Sequence, residues 1–369
     1  MGGIFGGVLM ISLADKDSSK SNNFGSIRLA LASLVILSHS PVLIDGNSSR
    51  EILINIFGTI SFGELAVDGF FIVSGFLIAK SFCDSSLSEY FVKRIVRIYP
   101  GFLVCFALCA FILAPVVVGA TALMPATVIA GFAEAVRLRP PLAAGGFANI
   151  AYPDMNGSLW TIAYEFRCYV IAAVCGLLGL YRSRGKWIFL AITAILLALN
   201  TSGLAAGINL PIPTIIGEFG KATRLTGLFF SGTCFFLFRD HVPFPKWGGI
   251  LSFAFLIAGL SLPPLAELAV ATFGAYLIFW IAYAIPVGQL EAFTRKQDLS
   301  YGIYLYAWPI QNSFIYWFGI QNHLLLSAIT LVIAAAMASL SWRFVEKPAQ
   351  DAMRSFRSSG PRKTLRDVA

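Results

Sequence analysis

The sequence predicts an all-α polytopic membrane protein of about ten transmembrane helices, with both termini on the cytoplasmic side. Three observations predict it. First, 57% of the 369 residues are hydrophobic and only 12% charged, with a mean hydropathy of +0.76 that no ordinary soluble domain approaches. Second, apolar stretches long enough to cross roughly 30 Å of hydrocarbon recur from Ile27 almost to the end, and no segment is polar enough for a separate soluble domain. Third, Lys and Arg gather in alternate connections, which fixes the orientation.

Breaking the hydropathy at charges and at Pro/Gly-rich points places spans at 26–44, 62–81, 98–122, 158–180, 187–206, 222–239, 247–263, 266–287, 300–320 and 324–345. The connections assigned to the cytoplasm carry Lys80, Lys93, Arg94 and Arg97, then Arg182, Arg184 and Lys186, then Arg239 and Lys246, then Arg295 and Lys296. The tail adds Lys347, Arg354, Arg357, Arg362, Lys363 and Arg366, while the opposite side holds only Arg50, Arg137, Arg139 and Lys221. Residues 1–25 read as an interfacial or disordered leader, 26–346 as the transmembrane domain and 347–369 as a basic cytoplasmic tail. The net charge of +8 is accounted for by loops facing anionic headgroups, so no nucleic-acid partner is expected. Six scattered cysteines form no CxxC or Cys/His cluster, and no metal is expected.

Charges inside the spans are costly and need a partner or a purpose. On the first span, RLALASLVILSH sets Arg28 and His39 eleven residues apart; at 100° per residue they share one face, about 16 Å apart along the axis. A snorkelling arginine with a carbonyl-bonded histidine satisfies that pattern, and so does a functional pair. On the second span, Glu64 and Asp68 share a face just before GFFIVSGFLIA, calling for a cation or a shared proton nearby. The alternative puts Glu64 at headgroup level and pairs Asp68 with an arginine.

In YFVKRIVRIYPG, Lys93, Arg94 and Arg97, with Tyr99 beside them, form a cationic doorway that suits a phosphate-bearing ligand, although positive loops produce such clusters routinely. In NGSLWTIAYEFRCYV, Glu165 and Arg167 are two apart and face different ways among Trp160, Tyr164 and Tyr169. Each needs a partner on another helix, most simply with Arg167 pairing a carboxylate such as Asp68 and Glu165 facing a cavity. The stretch DLSYGIYLYAWPIQN opens the ninth span, with Pro309 able to kink it, and in SLSWRFVEKPAQ the residues Arg343 and Glu346 read as helix-end anchors.

Taken in order, these pieces resemble the acyltransferase-3 family of bacterial membrane acyltransferases, which place acetyl or other short acyl groups on carbohydrates. The matching residues are Arg28 and His39, the VDGFFIVSGFLIA run, KRIVRIYP, SLWTIAYEFRCY, LSYGIYLYAWP and the closing FVEKP. The resemblance implies a ten-helix core in the bacterial inner membrane that takes acetyl-CoA from the cytoplasm, with His39 as the leading catalytic residue and Arg28 orienting the site. It implies that Arg94 and Arg97, with Lys93 and Tyr99, contact the donor. Many members have a histidine where this chain reads Tyr306 or Ala307, so no role is assigned to a second histidine. Many also carry an extracytoplasmic hydrolase-like domain; this chain stops about 24 residues past its last span, so it is expected to transfer directly or to pass the acyl group to a separate periplasmic protein.

Transfer from a thioester to a sugar hydroxyl needs a base, oxyanion donors and alignment. His39 is expected as the base, or as a covalent acyl carrier. Glu165 or Asp68 would orient it, and Ser74, Trp160, Tyr164 and Tyr301 would face the substrates. The long 123–157 connection, with RLRPPLAAGG, would border the acceptor, and exopolysaccharide units, O-antigen and lipo-oligosaccharides all suit. The rival class is a secondary transporter or flippase, which also needs buried charge, but no inverted repeat is visible in the two halves.

Overall fold

The computed structural model describes residues 12–17, 22–141, 146–208, 216–286 and 288–357. Most of the 1–25 leader, four residues of RLRPPLAAGG and the tail cations Arg362, Lys363 and Arg366 lie outside the described residues. Among the described residues there is no strand, and one isolated bridge joins Ser12 to Pro243.

A helix lies over each predicted span: α1 (Phe24–Asp45), α2 (Phe62–Cys83), α3 (Leu87–Ala107), α4 (Trp160–Leu177), α5 (Gly185–Thr201), α6 (Phe219–Leu237), α7 (Gly248–Leu260), α8 (Ala275–Ala284), α9 (Ser300–Phe318) and α10 (His323–Ser341), followed by α11 (Lys347–Arg357). Among the described residues, six helical stretches are long and apolar enough to cross a membrane: Phe24–Asp45, Phe62–Cys83, Leu87–Leu123, Gly157–Leu177, Pro263–Ala284 and His323–Ser355. The helices α6 and α9 fall outside that group because they carry more polar residues, and both are interior: every α9 residue from Ser300 to Asn312 is buried. Surrounded by protein on all sides, such a helix needs no lipid-facing stripe.

Two ends differ from the expectation. Helix α3 starts at Leu87 rather than at 98, because Ser86 caps it by accepting the Glu89 amide at 3.3 Å and Lys93 pairs with Glu89 one turn on at 2.7 Å. The cationic cluster therefore rides on a helix instead of a connection. At the far end α10 runs through a π turn at Trp342–Glu346 straight into α11, so residues 347–357 of the expected tail are helical. Two further π turns interrupt helices at Leu108–Leu113 and Val270–Gly274.

On α2 the cation that the sequence calls for is present, but it is Arg224 and not Arg167. Glu64 closes a capping box with Ser61, its carboxylate accepting the Ser61 amide at 2.9 Å. Asp68, fully buried, accepts from Arg224 of α6 at 2.7 Å, and the same guanidinium bonds Glu267 at 2.8 Å. The expected Arg167–Asp68 pair does not form: Arg167 donates to the Ile216 carbonyl at 3.1 Å and lies over the Tyr164 ring. Arg224 reaches Asp68 from a helix packed on α2, whereas Arg167 points to the 216–218 turn.

The tightest helix crossing is between α2 and α6. A Cβ on Gly75 would lie 1.8 Å from the Phe229 carbonyl oxygen, and one on Gly232 would lie 1.9 Å from that of Ile72. Thr233 Oγ1 also donates to the Gly75 carbonyl at 3.0 Å. Two glycines meeting across the interface let the backbones touch, which is how small residues join helices where lipid offers no hydrophobic drive. The glycines of GFFIVSGF are thus explained by packing. Gly75→Ala and Gly232→Ala are each expected to lower the melting temperature in detergent sharply or abolish folded protein, since backbone cannot yield as a side chain does. Gly207→Ala, which meets no atom within 4 Å, should melt like the wild type; equal melting of all three would refute this account of the crossing.

Candidate active site

Within the bundle lies a cavity of about 460 Å³, walled by α1, α2, α3, α4, α9 and the Trp342 end of α10. That volume falls in the range of small-molecule sites. Lys93, Arg94 and Arg97 line it at the end where the basic connections gather, and Val67, Phe70, Thr161 and Tyr304 line it toward the other.

The arginines are held in specific ways. Asp298, in the turn before α9, accepts from Arg97 at 2.7 Å and from Arg28 at 3.1 Å, so α1 and α3 converge on one carboxylate. Burial raises the Asp298 carboxyl, but the charges of Arg28 and Arg97 and the hydrogen bonds from Ser300 outweigh it and hold the group well below the usual carboxylate range. Glu346, brought inward by the π turn, stands 3.7 Å from Arg97 and accepts from Ser341 at 3.0 Å. Arg97 also lies over the Tyr301 ring at 5.4 Å. Arg94 is less committed: it donates to Ser81 at 3.3 Å and lies over the rings of Tyr90 and Tyr169 at 5.8 and 5.7 Å. Lys93 bonds Ser85 at 2.7 Å as well as Glu89.

On α4, Glu165 faces the cavity as expected, accepting from Ser74 of α2 at 3.2 Å and from the Tyr169 hydroxyl. Tyr301 lines the cavity with its ring while its hydroxyl fastens α9 to α3 through the Ile98 carbonyl at 2.9 Å. Four expected site residues lie elsewhere. Tyr99 turns outward and donates to the Val136 carbonyl at 3.0 Å. Trp160 and Tyr164 form a separate cluster on another face of the same end of α4, with Lys221 over the Trp160 ring at 5.2 Å and Tyr164 accepting the Glu218 amide at 2.9 Å. Asp68 belongs to the Arg224 cluster.

His39 sits just past the inner end of the cavity. Its ring meets Trp308 edge-on, centroids 5.0 Å apart, and Trp308 follows the cavity-lining Tyr304 by four residues on α9, about 6 Å of axial rise. No carboxylate orients the imidazole: its Nδ1 has no hydrogen-bond partner among the described residues. What fixes it is the packing around it. Gln311 donates to the Ile36 carbonyl at 3.0 Å and to Ser40 at 2.7 Å, clamping the turn of α1 that carries His39. Trp308 in turn donates to the Asp154 carbonyl at 3.1 Å, and a Cβ on Gly157 would come within 2.5 Å of its ring, so the 152–158 loop presses it into place.

Sequence reasoning passes over Asp298, Tyr304, Thr161, Arg224 and Glu267. The signal for Asp298 was slight: it is a single acidic residue that follows Lys296 and Gln297 and stands immediately before LSYGIYLY. Asp298→Asn should cost ~2 kcal/mol or more, because it leaves the half-buried Arg28 and Arg97 side by side without the carboxylate they share. Since the carboxyl is depressed in the folded protein, its contribution is complete above the unfolded value near 3.9 and is lost only as pH falls toward the folded one. The difference in melting temperature between wild type and Asp298→Asn should therefore stay flat from about pH 5 to pH 8. A difference that vanishes within that window would contradict this ion cluster.

Residues 23–343 match a family model described as an acyltransferase domain, acyltransferase family 3. The chain is 28% identical over 343 residues to a protein named O-acetyl transferase from Shigella phage Sf6, covering 89% of this chain and 96% of that one. It is also 28% identical over 374 residues to a protein named nodulation protein 10 from Rhizobium leguminosarum bv. viciae, covering 91% of this chain and 95% of the relative. No solved structure matches it. With the family model spanning most of the chain, from ahead of Arg28 to beyond Trp342, the protein is a member of the acyltransferase-3 family.

Proposed function

We propose that the protein is an O-acetyltransferase of the bacterial inner membrane that moves an acetyl group from cytoplasmic acetyl-CoA to a hydroxyl of a cell-surface, lipid-linked or secreted carbohydrate. The observation that carries the reading is the cavity, cationic at the end bearing Lys93, Arg94 and Arg97 and reaching inward to Tyr304, one helical turn short of the Trp308–His39 contact. Both termini lie on the cytoplasmic side in this reading, and the donor enters there. Its phosphates meet the cations, its pantetheine arm follows the channel between α2 and α9, and its thioester arrives beside His39.

The acceptor approaches from the opposite side, past the 152–158 loop. His39 takes the proton of the attacking hydroxyl as the oxygen bonds to the thioester carbon; the C–S bond then breaks, and the departing thiolate takes the proton from the imidazolium. Glu165, with Ser74 and Tyr169, belongs to the wall along which the arm lies. The relative named O-acetyl transferase supports acetyl as the group moved. A hydroxyl-bearing glycan is the acceptor class that a transferase facing the cell exterior meets. Whether it hands on directly or through a separate periplasmic protein follows from the acceptor used.

The test follows thiol release from acetyl-CoA by purified wild type and His39→Ala, with and without a mixture of candidate glycans. Wild type should release thiol only when an acceptor is present. His39→Ala should fall by roughly 10²–10⁴-fold while binding the donor unchanged. One equivalent of thiol released without any acceptor would instead make His39 an acyl carrier. Equal turnover by both proteins would remove His39 from the chemistry, and no donor binding by folded wild type would revive the transporter reading.

A further inference from the structure

Helix α11 lies beyond the residues that match the family, yet it walls the same cavity. Gln350, Met353 and Arg354 all line it, as do Lys93 and Arg94 of α3, the helix on which α11 packs. The spacing of these three, i, i+3 and i+4, puts them on one face of an eleven-residue helix. That face is held in place from its start, because the π turn leading into α11 buries Glu346 against Arg97 and Ser341.

Two of the three have unspent bonding capacity. The Gln350 Nε2 amide is buried and finds no hydrogen-bond partner among the described residues. A buried donor left in that state costs free energy unless something arrives to accept from it. Arg354 bonds Asp351 at 3.3 Å, but both side chains are largely exposed, at 70% and 49%. An ion pair so exposed contributes little, so the guanidinium turns to a better anion at small cost. At the mouth of the cavity there is thus an open amide donor and a loosely held guanidinium facing the least committed arginine of α3.

We propose that α11 completes the donor site, with Gln350 and Arg354 holding the phosphate-bearing nucleotide half of the acyl donor against Arg94. The proposal rests on the acyl-CoA reading above and adds to it the element that grips the donor's outer half. It also assigns a division of labour: Arg28 and Arg97, already bonded to Asp298, shape the inner wall, while Arg94 and Arg354 meet the phosphates.

The experiment compares two donors, acetyl-CoA and S-acetyl-pantetheine, which carries the same thioester and arm without phosphate or nucleotide. Initial rates are measured for wild type, Gln350→Ala, Arg354→Ala and Arg354→Glu, all in detergent and all checked for an unchanged melting temperature. Loss of a charge-assisted hydrogen bond to phosphate should raise KM for acetyl-CoA roughly tenfold in each alanine variant, and further in Arg354→Glu. The kcat values should hold, and KM for S-acetyl-pantetheine should not move. Equal effects on both donors, or none on either, would overturn the proposal while leaving the acyl-CoA reading intact. If Gln350→Ala melts early, the exposed Arg354 variants decide the matter. Wild type that neither binds nor uses acetyl-CoA would instead sink the underlying reading, without any variant being consulted.

Discussion

Two arginines from separate helices meet a single carboxylate in this bundle, and the inner wall of the cavity depends on that meeting. Placed side by side at depth, Arg28 and Arg97 would repel each other and forgo their hydration. Asp298 removes both difficulties by accepting from each, and Glu346 adds a second negative charge beside Arg97. The result ties α1, α3, the turn before α9 and the π turn after α10 to one point. Four separate pieces of chain are registered against each other by a cluster of charges rather than by shape alone. It also changes what the cationic doorway can offer. Of the three cations seen in YFVKRIVRIYPG, Arg97 is engaged by carboxylates, Lys93 is paired within its own helix, and Arg94 rests on two aromatic rings.

A second constraint governs the far side. The 152–158 loop enters the bundle at Met155, Asn156 and Ser158, which are buried, and its backbone groups there need partners. Helix α9 supplies them from one stripe. Tyr304 donates to the Ser158 carbonyl at 2.7 Å, Trp308 to that of Asp154, and Asn312 to those of Tyr152 and Asp154 at 2.8 and 3.0 Å. These residues follow one another at four-residue intervals, so a single helical face carries the loop. In return Asn156 reaches back to the Leu305 carbonyl at 2.8 Å. The exchange explains why α9 is polar, buried and central at once. It also explains how an imidazole with no carboxylate behind it is held in place, since the loop fixes Trp308 and Trp308 lies against His39.

Much of this was legible in the sequence, for identifiable reasons. Helices are local, and a helix appears over every apolar stretch that hydropathy marks. The shared face of Arg28 and His39 follows from helical arithmetic, and the exposure of Glu165 to a cavity follows from its lying off the face that carries Arg167. Partner choice is another matter. Arg167 and Arg224 are both intramembrane arginines near Asp68 in any packed bundle, and only the crossing of α2 with α6 at Gly75 and Gly232 selects the second. Asp298 was hidden because KQD reads as a short solvated connection. Helix α11 was hidden because the charges of KPAQDAMRSFR dominate its hydropathy and obscure the face that packs inward. Tyr99 shows the complementary failure: being next to a functional cluster in sequence says little about which way a helical side chain turns.

The aromatic layer at the inner end of the cavity has a consequence apart from any reaction. Phe70 meets Tyr304 with ring centroids 6.1 Å apart, and Trp308 meets both His39 and Tyr152, at 5.0 and 6.2 Å. On one side of that layer lies a water-accessible hollow lined by arginines; on the other lies a polar loop. A membrane protein hollowed from one face and carpeted with polar backbone at the other is partway to being a pore. These rings, meeting edge to face, close the hollow at its inner end and keep it a blind pocket rather than a passage.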